Sequence, residues 1–487
     1  MKTKRRYGLN KKEAAFNAFL VALFSVLLCL ISWLVFFEWN DTLPPEVEGQ
    51  KAIRALAFAA IIFVFTVLIV IYAYFADNET LKSRKKMTAL FVTATVSYTL
   101  NILISMVDAP IPIIYVAPVA LCALLISLIV SPKLSFFVNF YVVLLLFIAE
   151  KNLTVSSTDA QVYYLLFSGI LGSIMGTYMI SKSNRRVQYL FGGLYIGFFS
   201  LIVAILTYFI FSETFNMNME FWSMCLLALV SGLVDIALFF LLTPLFESIF
   251  NLVTDFRMAE LASSDQPLMK RMVEEAPGTF NHSMLVASYA EACAGAIGAD
   301  TFVARAAGYY HDIGKLKDPQ FFVENQSGGQ NPHESISPEL SVMFIKKHII
   351  NGIALAQEYK LPEEIVSAIA EHHGTMPIRF FYSKAKRMTE GELDMKAYSY
   401  DGPKPTNKIS AIIMIADASE AALRANNNKN AAAEIVDKIV KERFELEQFT
   451  DCDITMKDLE IIKRTILTTY LGITHDRIQY PEVRLGK

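Results

Sequence analysis

Tyr309-Tyr310-His311-Asp312-Ile313-Gly314-Lys315 closes a short run, Phe302 to Tyr310, whose apolar spacing predicts a helix. An imidazole and a carboxylate stand side by side where that helix ends. From a helix end, both side chains can face one metal site. Gly314 lets the backbone come close, and Lys315 offers a cation to a phosphate. Alone, a His-Asp pair is as a rule a capped, solvated helix end. The rest of the chain decides its meaning.

All seven histidines lie in the second half: His282, His311, His333, His348, His372, His373 and His475. The pattern predicts helices at 267–275, 280–297, 301–310, 337–358, 362–372, 406–425, 430–446 and 456–470. His282 falls early in one of them, after Pro277-Gly278. His348 is mid-helix, and His372-His373 end the helix opened by Leu361-Pro362-Glu363-Glu364. Asp417 interrupts an otherwise apolar helix, Ile409–Ala418, where a lone carboxylate costs several kcal/mol unless paired or ligating. Each has a plainer reading. His348 alone fits a core histidine, His372-His373 a helix C-cap, Asp417 a paired acid and His475 a structural residue. In helical order, five histidines and two aspartates point to one site. That set suits two metal ions with one carboxylate bridging, and iron, manganese or zinc over calcium. Two such ions hold a bridging hydroxide and clamp a phosphate. No Ser-His-acid or Cys-His arrangement competes, and there is no Walker loop.

Between these helices run a polar, Gly-rich loop, Glu324–Glu334, and a charged segment, Phe380–Pro405. The basic stretch Met376–Met388 reads as solvated surface, with a substrate lid as the other reading.

The first half is of another kind. Of 487 residues, 54% are hydrophobic, concentrated upstream, and mean hydropathy is +0.39. Apolar runs at 16–37, 53–76, 88–107, 111–130, 134–149, 161–180, 188–211 and 221–243 give about eight candidate spans. Lys82, Arg84, Lys85, Lys86, Lys133, Lys182, Arg185, Arg186 and the basic N-terminus fall on one side if every run crosses. The opposite loops are acidic or neutral, so the positive-inside rule places both termini in the cytoplasm. Trp33, Phe36, Phe37 and Trp39 close the first run as an interfacial belt, unlike a cleaved signal peptide. Asp235 is the one clear acid inside a span; it reads as a helix-packing residue before a transport residue. Thr243-Pro244 is expected to end the last span. An amphipathic helix, Leu245–Ala262, follows as a stalk or coupling element.

The net charge of −3 gives no basic field for a nucleic acid polymer. Cys29, Cys122, Cys225, Cys293 and Cys452 form no close pair, so neither a disulfide framework nor a Cys-rich zinc site is expected.

The order His, His-Asp, His, His-His, Asp resembles the HD-domain metal-dependent phosphohydrolases. More specifically, Glu275-Ala276-Pro277-Gly278-Thr279, Tyr310–Lys315, Glu324-Asn325-Gln326, Asn331-Pro332-His333, Glu371-His372-His373-Gly374-Thr375 and Gly402-Pro403-Lys404-Pro405 resemble the seven-transmembrane HD (7TM-HD) family. So do Asp451–Thr455, Lys457-Asp458-Leu459 and His475-Asp476-Arg477-Ile478. The resemblance implies hydrolysis of cyclic di-AMP to the linear dinucleotide pApA in second-messenger signalling. It implies one metal on His282, His311, Asp312 and Asp417, and a second on Asp312, His348, His372 and His373. Iron or manganese is typical of the family. It also gives His311, Asp312 and Lys315 catalytic roles, and Lys315, Asn331 and His333 contacts to substrate. The related HD-GYP proteins act on cyclic di-GMP and carry a Gly-Tyr-Pro motif; here Gly374-Thr375-Met376 follows the paired histidines. One departure stands out. Family members usually carry a large extracytoplasmic domain between the first two spans, and Glu38–Lys51 is too short for one.

The expectation is therefore all-α: a transmembrane bundle (1–243), a coupling helix (244–265) and a cytoplasmic HD phosphohydrolase domain (266–487). Its partners are a cyclic dinucleotide and the bilayer of the inner membrane, and the sequence leaves a homo-oligomer open. Two rivals remain: a nucleotide-binding receptor with little turnover, and an HD phosphohydrolase acting on another cyclic dinucleotide or a nucleotide polyphosphate.

Overall fold

The computed structural model describes residues 9–34, 51–107, 109–153, 158–182, 186–212, 216–250, 252–263, 265–326, 331–389, 392–426 and 429–473. Lys2, Lys4, Arg5 and Arg6, the belt residues Phe36, Phe37 and Trp39, the loop that follows to Gln50, and His475 lie outside them. The chain divides into two compact units, Met1–Thr254 and Asp255–Lys487. Both are helical; among the described residues the one β-type pairing is an isolated bridge between Pro377 and Ser399.

The first unit contains α1 (Lys11–Trp33), α2 (Lys51–Ala76), the short α3 (Asn78–Lys82), α4 (Arg84–Ser105), α5 (Leu121–Ile129), α6 (Pro132–Leu153), α7 (Asp159–Lys182), α8 (Arg186–Phe211) and α9 (Met219–Phe250). Among the described residues, seven helices are by length and composition fit to cross a membrane: α1, α2, α4, α6, α7, α8 and α9. Large apolar side chains such as Phe75, Leu226 and Leu241 face outward, as lipid contact requires. Inside, small polar groups link helices: the hydroxyls of Ser32 and Tyr98 lie 2.8 Å apart, and the Asn139 amide donates to Ser173 at 2.6 Å. Gly232 of α9 meets α8 so closely that a Cβ there would stand 2.1 Å from the Gly193 carbonyl. Without hydrophobic drive between helices in lipid, such close approach is what packs them.

The fourth apolar run corrects the sequence reading. It does not form a continuous helix: a 3₁₀ turn, Ile113–Val116, is followed by an irregular stretch and then the nine-residue α5. Nine residues rise about 14 Å, under half a hydrocarbon core. The segment nevertheless traverses the bundle. Ser105, ending α4, donates to Glu150 near the end of α6, and Tyr72, near the end of α2, donates to the Lys133 carbonyl at the start of α6 at 3.2 Å. The chain thus returns between Ser105 and Pro132 from one end of the bundle to the other. Irregular backbone is tolerated at that depth because protein encloses it: Tyr115, Ala117, Val119, Ala120 and all of α5 except its half-buried Leu128 are buried. Asp235, fully buried in α9, lies beside the main chain of Ala120 and Leu121 where α5 begins.

A second correction concerns Pro244. It does not end α9, which continues to Phe250. A proline inside an apolar helix forfeits one backbone bond, here to the Phe240 carbonyl, and such a loss is tolerated within an apolar bundle. The stretch expected as one amphipathic helix is therefore divided between the end of α9 and α10 (Asp255–Leu261).

The second unit continues with α11 (Pro267–Glu275), α12 (Pro277–Ile297), α13 (Thr301–Tyr310), α14 (Pro338–Glu358), α15 (Glu363–Glu371), α16 (Arg379–Met388), α17 (Lys408–Ala425), α18 (Ala432–Glu445) and α19 (Met456–Ile473). Helix α16 falls in the segment expected to be charged surface. Its Phe381 and Ala385 bury against Val342 and Tyr398, an apolar stripe that the surrounding Lys and Arg mask in the sequence. The main core joins Val286, Ala290 and Cys293 of α12, Ala304 and Ala307 of α13, Ile412, Ile413 and Ile415 of α17, Val436 of α18 and Ile462 of α19. It fixes α12, α13 and α17, three of the helices that carry the His and Asp residues.

Candidate metal centre

Each side chain reaches the centre from a helix end or an inward helix face. The Asp300 carboxylate caps α13 by accepting from the Phe302 and Val303 amides at 2.9 and 3.1 Å. The helix ends at His311, and a 3₁₀ turn, Ile313–Lys317, carries the chain away. Gly314 sits in that turn against α14: a Cβ would stand 1.8 Å from the His348 carbonyl oxygen and 2.5 Å from the Gly352 nitrogen. Only glycine lets the turn press there, and the pressure brings His348 to Asp312. Helix α15 ends at His372, with Gly374 left-handed at φ +51° behind it.

Asp312 is at the middle, 1% exposed. Its Oδ2 lies 2.7 Å from Lys315 Nζ, 3.2 Å from His311 Nε2 and 3.6 Å from His282 Nε2. Its Oδ1 lies 3.6 Å from His348 Nε2 and 3.7 Å from His372 Nε2. One carboxylate thus turns an oxygen to each of two histidine groups. Asp417 Oδ1 lies 3.0 Å from His282 Nε2, and its Oδ2 lies 3.7 Å from His373 Nδ1. The donor atoms of His282, His311, Asp312 and Asp417 fall within 4.8 Å of one another, and so do those of His348, His372 and His373.

Main-chain carbonyls set the tautomers. His311 Nδ1 lies 2.8 Å from the Gly308 oxygen and His372 Nδ1 2.9 Å from the Ile369 oxygen, and His348 Nδ1 meets the Ile345 oxygen. A carbonyl only accepts, so each Nδ1 carries the proton and each Nε2 presents a lone pair inward. His348 and His372 then face each other Nε2 to Nε2 at 3.4 Å. Two lone pairs at that distance repel unless a cation lies between them. His311 Nε2 and Asp312 Oδ1 are likewise buried without a hydrogen-bond partner. This donor set, unsatisfied and aimed at common points, fits a divalent transition metal.

The electrostatics divide the centre. Burial drives His372 down to about 3, holds His373 well below its usual range and lowers His348, so these three are neutral and ready to ligate. Burial also pulls on His282, but hydrogen bonds to Asp417 and Glu420 outweigh it and raise His282 to about 9. Burial works against ionisation of Asp312, yet Lys315 and His311 keep its carboxyl well below the usual range. Lys315 is raised despite burial because Asp312 and Glu324 face it.

Of the other expected residues, Lys315 lies at the centre, and Asn331 and His333 fall outside it. Lys315 is committed to Asp312 and, at 2.8 Å, to Glu324. Asn331 accepts from the His333 amide at 3.0 Å, and His333 Nε2 donates to the Phe321 carbonyl at 2.8 Å. Neither belongs to the two donor groups; His333 meets Phe321, and the ring of the adjoining Phe322 lies 5.8 Å from that of His348. Two residues went unread in the sequence. Tyr400 stacks on His373 at 4.2 Å, a long-range contact without a local signal. Glu420 holds His282 Nδ1, and its signal was there: it stands one helical turn after Asp417.

A helical domain that gathers His, His-Asp, His, His-His and Asp in this way defines the HD class, and residues 279–422 match the HD domain model. Residues 53–254 match the family described as 7TM receptor with intracellular HD hydrolase. The chain belongs to this seven-transmembrane HD family and is a multi-pass membrane protein. It is 35% identical over 370 residues to the cyclic-di-AMP phosphodiesterase PgpH of Bacillus subtilis (strain 168), covering 76% of this chain and 51% of that protein. It is 35% identical over 450 residues to the cyclic-di-AMP phosphodiesterase PgpH of Listeria monocytogenes serotype 1/2a (strain 10403S), covering 91% and 60%. The chain thus spans between half and three fifths of the length of these relatives. A crystal structure of the L. monocytogenes PgpH HD domain in complex with cyclic-di-AMP is 44% identical, with a TM-score of 0.42, covering 44% of this chain and all of that one.

Proposed function

We propose that this chain is a membrane-embedded, metal-dependent phosphodiesterase that opens cyclic di-AMP to pApA. The observation that supports it most is Asp312, with Oδ1 toward His348 and His372 and Oδ2 toward His282 and His311. His282, His311, Asp312 and Asp417 would hold one divalent ion, and Asp312, His348, His372 and His373 a second, iron or manganese ahead of zinc. Bound there, the pair supplies an activated water and offsets charge on the attacked phosphate. The chain's own residues hold the geometry: Gly314 seats the His-Asp turn on α14, and backbone carbonyls keep three imidazoles turned inward. Lys315 stays charged beside Asp312 and adds positive potential where a phosphate oxygen would lie. Asn331 and His333 shape the substrate side through Phe321 and Phe322. One water adds across one phosphodiester bond, leaving a 5′-phosphate and a free 3′-hydroxyl.

The substrate assignment rests on relatives whose names specify cyclic di-AMP. The placement is the bacterial inner membrane, with the HD domain in the cytoplasm. Lys82, Arg84 and Lys133 share one end of the bundle with the end of α9, and positive charge favours the cytoplasmic face.

The test is product analysis on the full chain in lipid nanodiscs, prepared without oxygen, with Mn²⁺ or Fe²⁺ and cyclic di-AMP. The expected product is pApA, and chelation stops it. The family description as a receptor favours one second reading, in which cyclic di-AMP binds and survives. A chain that neither binds nor cleaves it sinks the substrate assignment.

A further inference from the structure

We infer that Glu420 is a positioning residue that clamps the His282 ring for metal binding; the inference rests on the metal reading above. His311, His348 and His372 each use the carbonyl three residues back on their own chain. His282 instead places Nδ1 against the Glu420 carboxylate, 138 residues away in sequence. Both groups are buried, His282 at 3% and Glu420 at 2% exposure.

Helix α17 grips this ring on both edges. Asp417 reaches Nε2 at 3.0 Å and Glu420, three residues on, reaches Nδ1. The (i, i+3) spacing puts both carboxylates on one helix face, so they fix the plane of the imidazole as well as its tautomer. A buried carboxylate is costly without partners. The other oxygen of Glu420 lies 3.3 Å from Arg424 on the next turn, and Arg424 is itself 46% exposed. A carboxylate behind a ligating imidazole raises its basicity and sets its direction, and removing one lowers metal affinity about 10- to 100-fold.

The test measures Mn²⁺ binding to the full chain in nanodiscs by equilibrium dialysis, with melting of the metal-free protein recorded alongside. Glu420→Ala is expected to weaken one Mn²⁺ per chain about 10- to 100-fold and leave the other unchanged. Glu420→Gln, whose amide oxygen still accepts from Nδ1–H, is expected to recover most of that loss. Should the alanine variant fail to fold, Glu420→Asp serves in its place: it keeps the charge but falls one methylene short, and the same loss is expected. Wild-type affinity for both ions in the alanine or aspartate variant overturns the inference. So do equal losses in the alanine and glutamine variants accompanied by equal drops in melting temperature, which mark a purely structural acid. A wild-type chain that binds no Mn²⁺ overturns the metal reading itself, a result separate from any variant.

Discussion

His348, His372 and His373 have no carboxylate of their own and share Asp312 and Asp417 with their neighbours, whereas His282 and His311 are met by Asp312, Asp417 and, behind His282, Glu420. Burial chiefly, helped by repulsion from neighbouring histidines and Lys315, keeps the first group neutral. In the second, carboxylates hold a proton on His282 that a metal bound there would displace. The same residue type in one buried pocket is thus prepared in two ways, by desolvation and by charge.

Asp312 joins the two groups, so it is where the contrast can be broken outright. Asp312→Ala should take metal content from two ions to none and lower turnover by at least about 10³-fold, read by metal analysis and product formation. His372→Ala separates the groups: one ion should be lost, the His282 group should keep the other, and turnover should fall about 10²- to 10³-fold. Retention of both ions in either variant would show that the groups are not ligand sets. Gly314→Ala tests the seating of one group on the other. Its Cβ has only backbone to push against, so a shift of about an ångström should cost about 10²-fold in turnover with helicity preserved by circular dichroism.

The smallest effect is on stability against pH in the metal-free chain, and it has opposite signs in the two groups. His372 falls from its ordinary 6.5 to about 3 on folding, so its contribution is present above pH 6.5 and lost as pH falls toward 3. His282 rises from 6.5 to about 9, so its contribution is present below pH 6.5 and lost as pH rises through 9. Melting temperature should therefore peak near pH 6.5 and decline on both sides of it. Loading metal at pH 7 should release about one proton, from His282, measurable in weak buffer. A flat profile with no proton release would erase the distinction between the groups.

Much of the centre was legible because its donors sit at helix ends and inward faces that local spacing predicts. His311-Asp312 and His372-His373 close helices, and Gly314 has a local reason that the turn confirms. Glu420 was legible in principle from its spacing to Asp417, but an Ala-Ser-Glu stretch on a helix usually faces water. Tyr400 on His373 was not legible, since nothing nearby in sequence marks it. In the first unit, composition located the apolar runs but not the break at residues 117–120, which depends on enclosure by α6, α7 and α9. Pro244 misled for a related reason. A proline signals a helix stop in water, and an apolar setting lets α9 continue.

That broken fourth run also fixes a question of parity. Seven long helices alone would leave the two ends of the bundle's chain on opposite faces. Because residues 106–131 carry the chain back without a full helix, α1 begins and α9 ends on the same face. Fluorescent tags placed at the two termini should be shielded together from an external quencher in intact cells, and exposed together once the cells are opened.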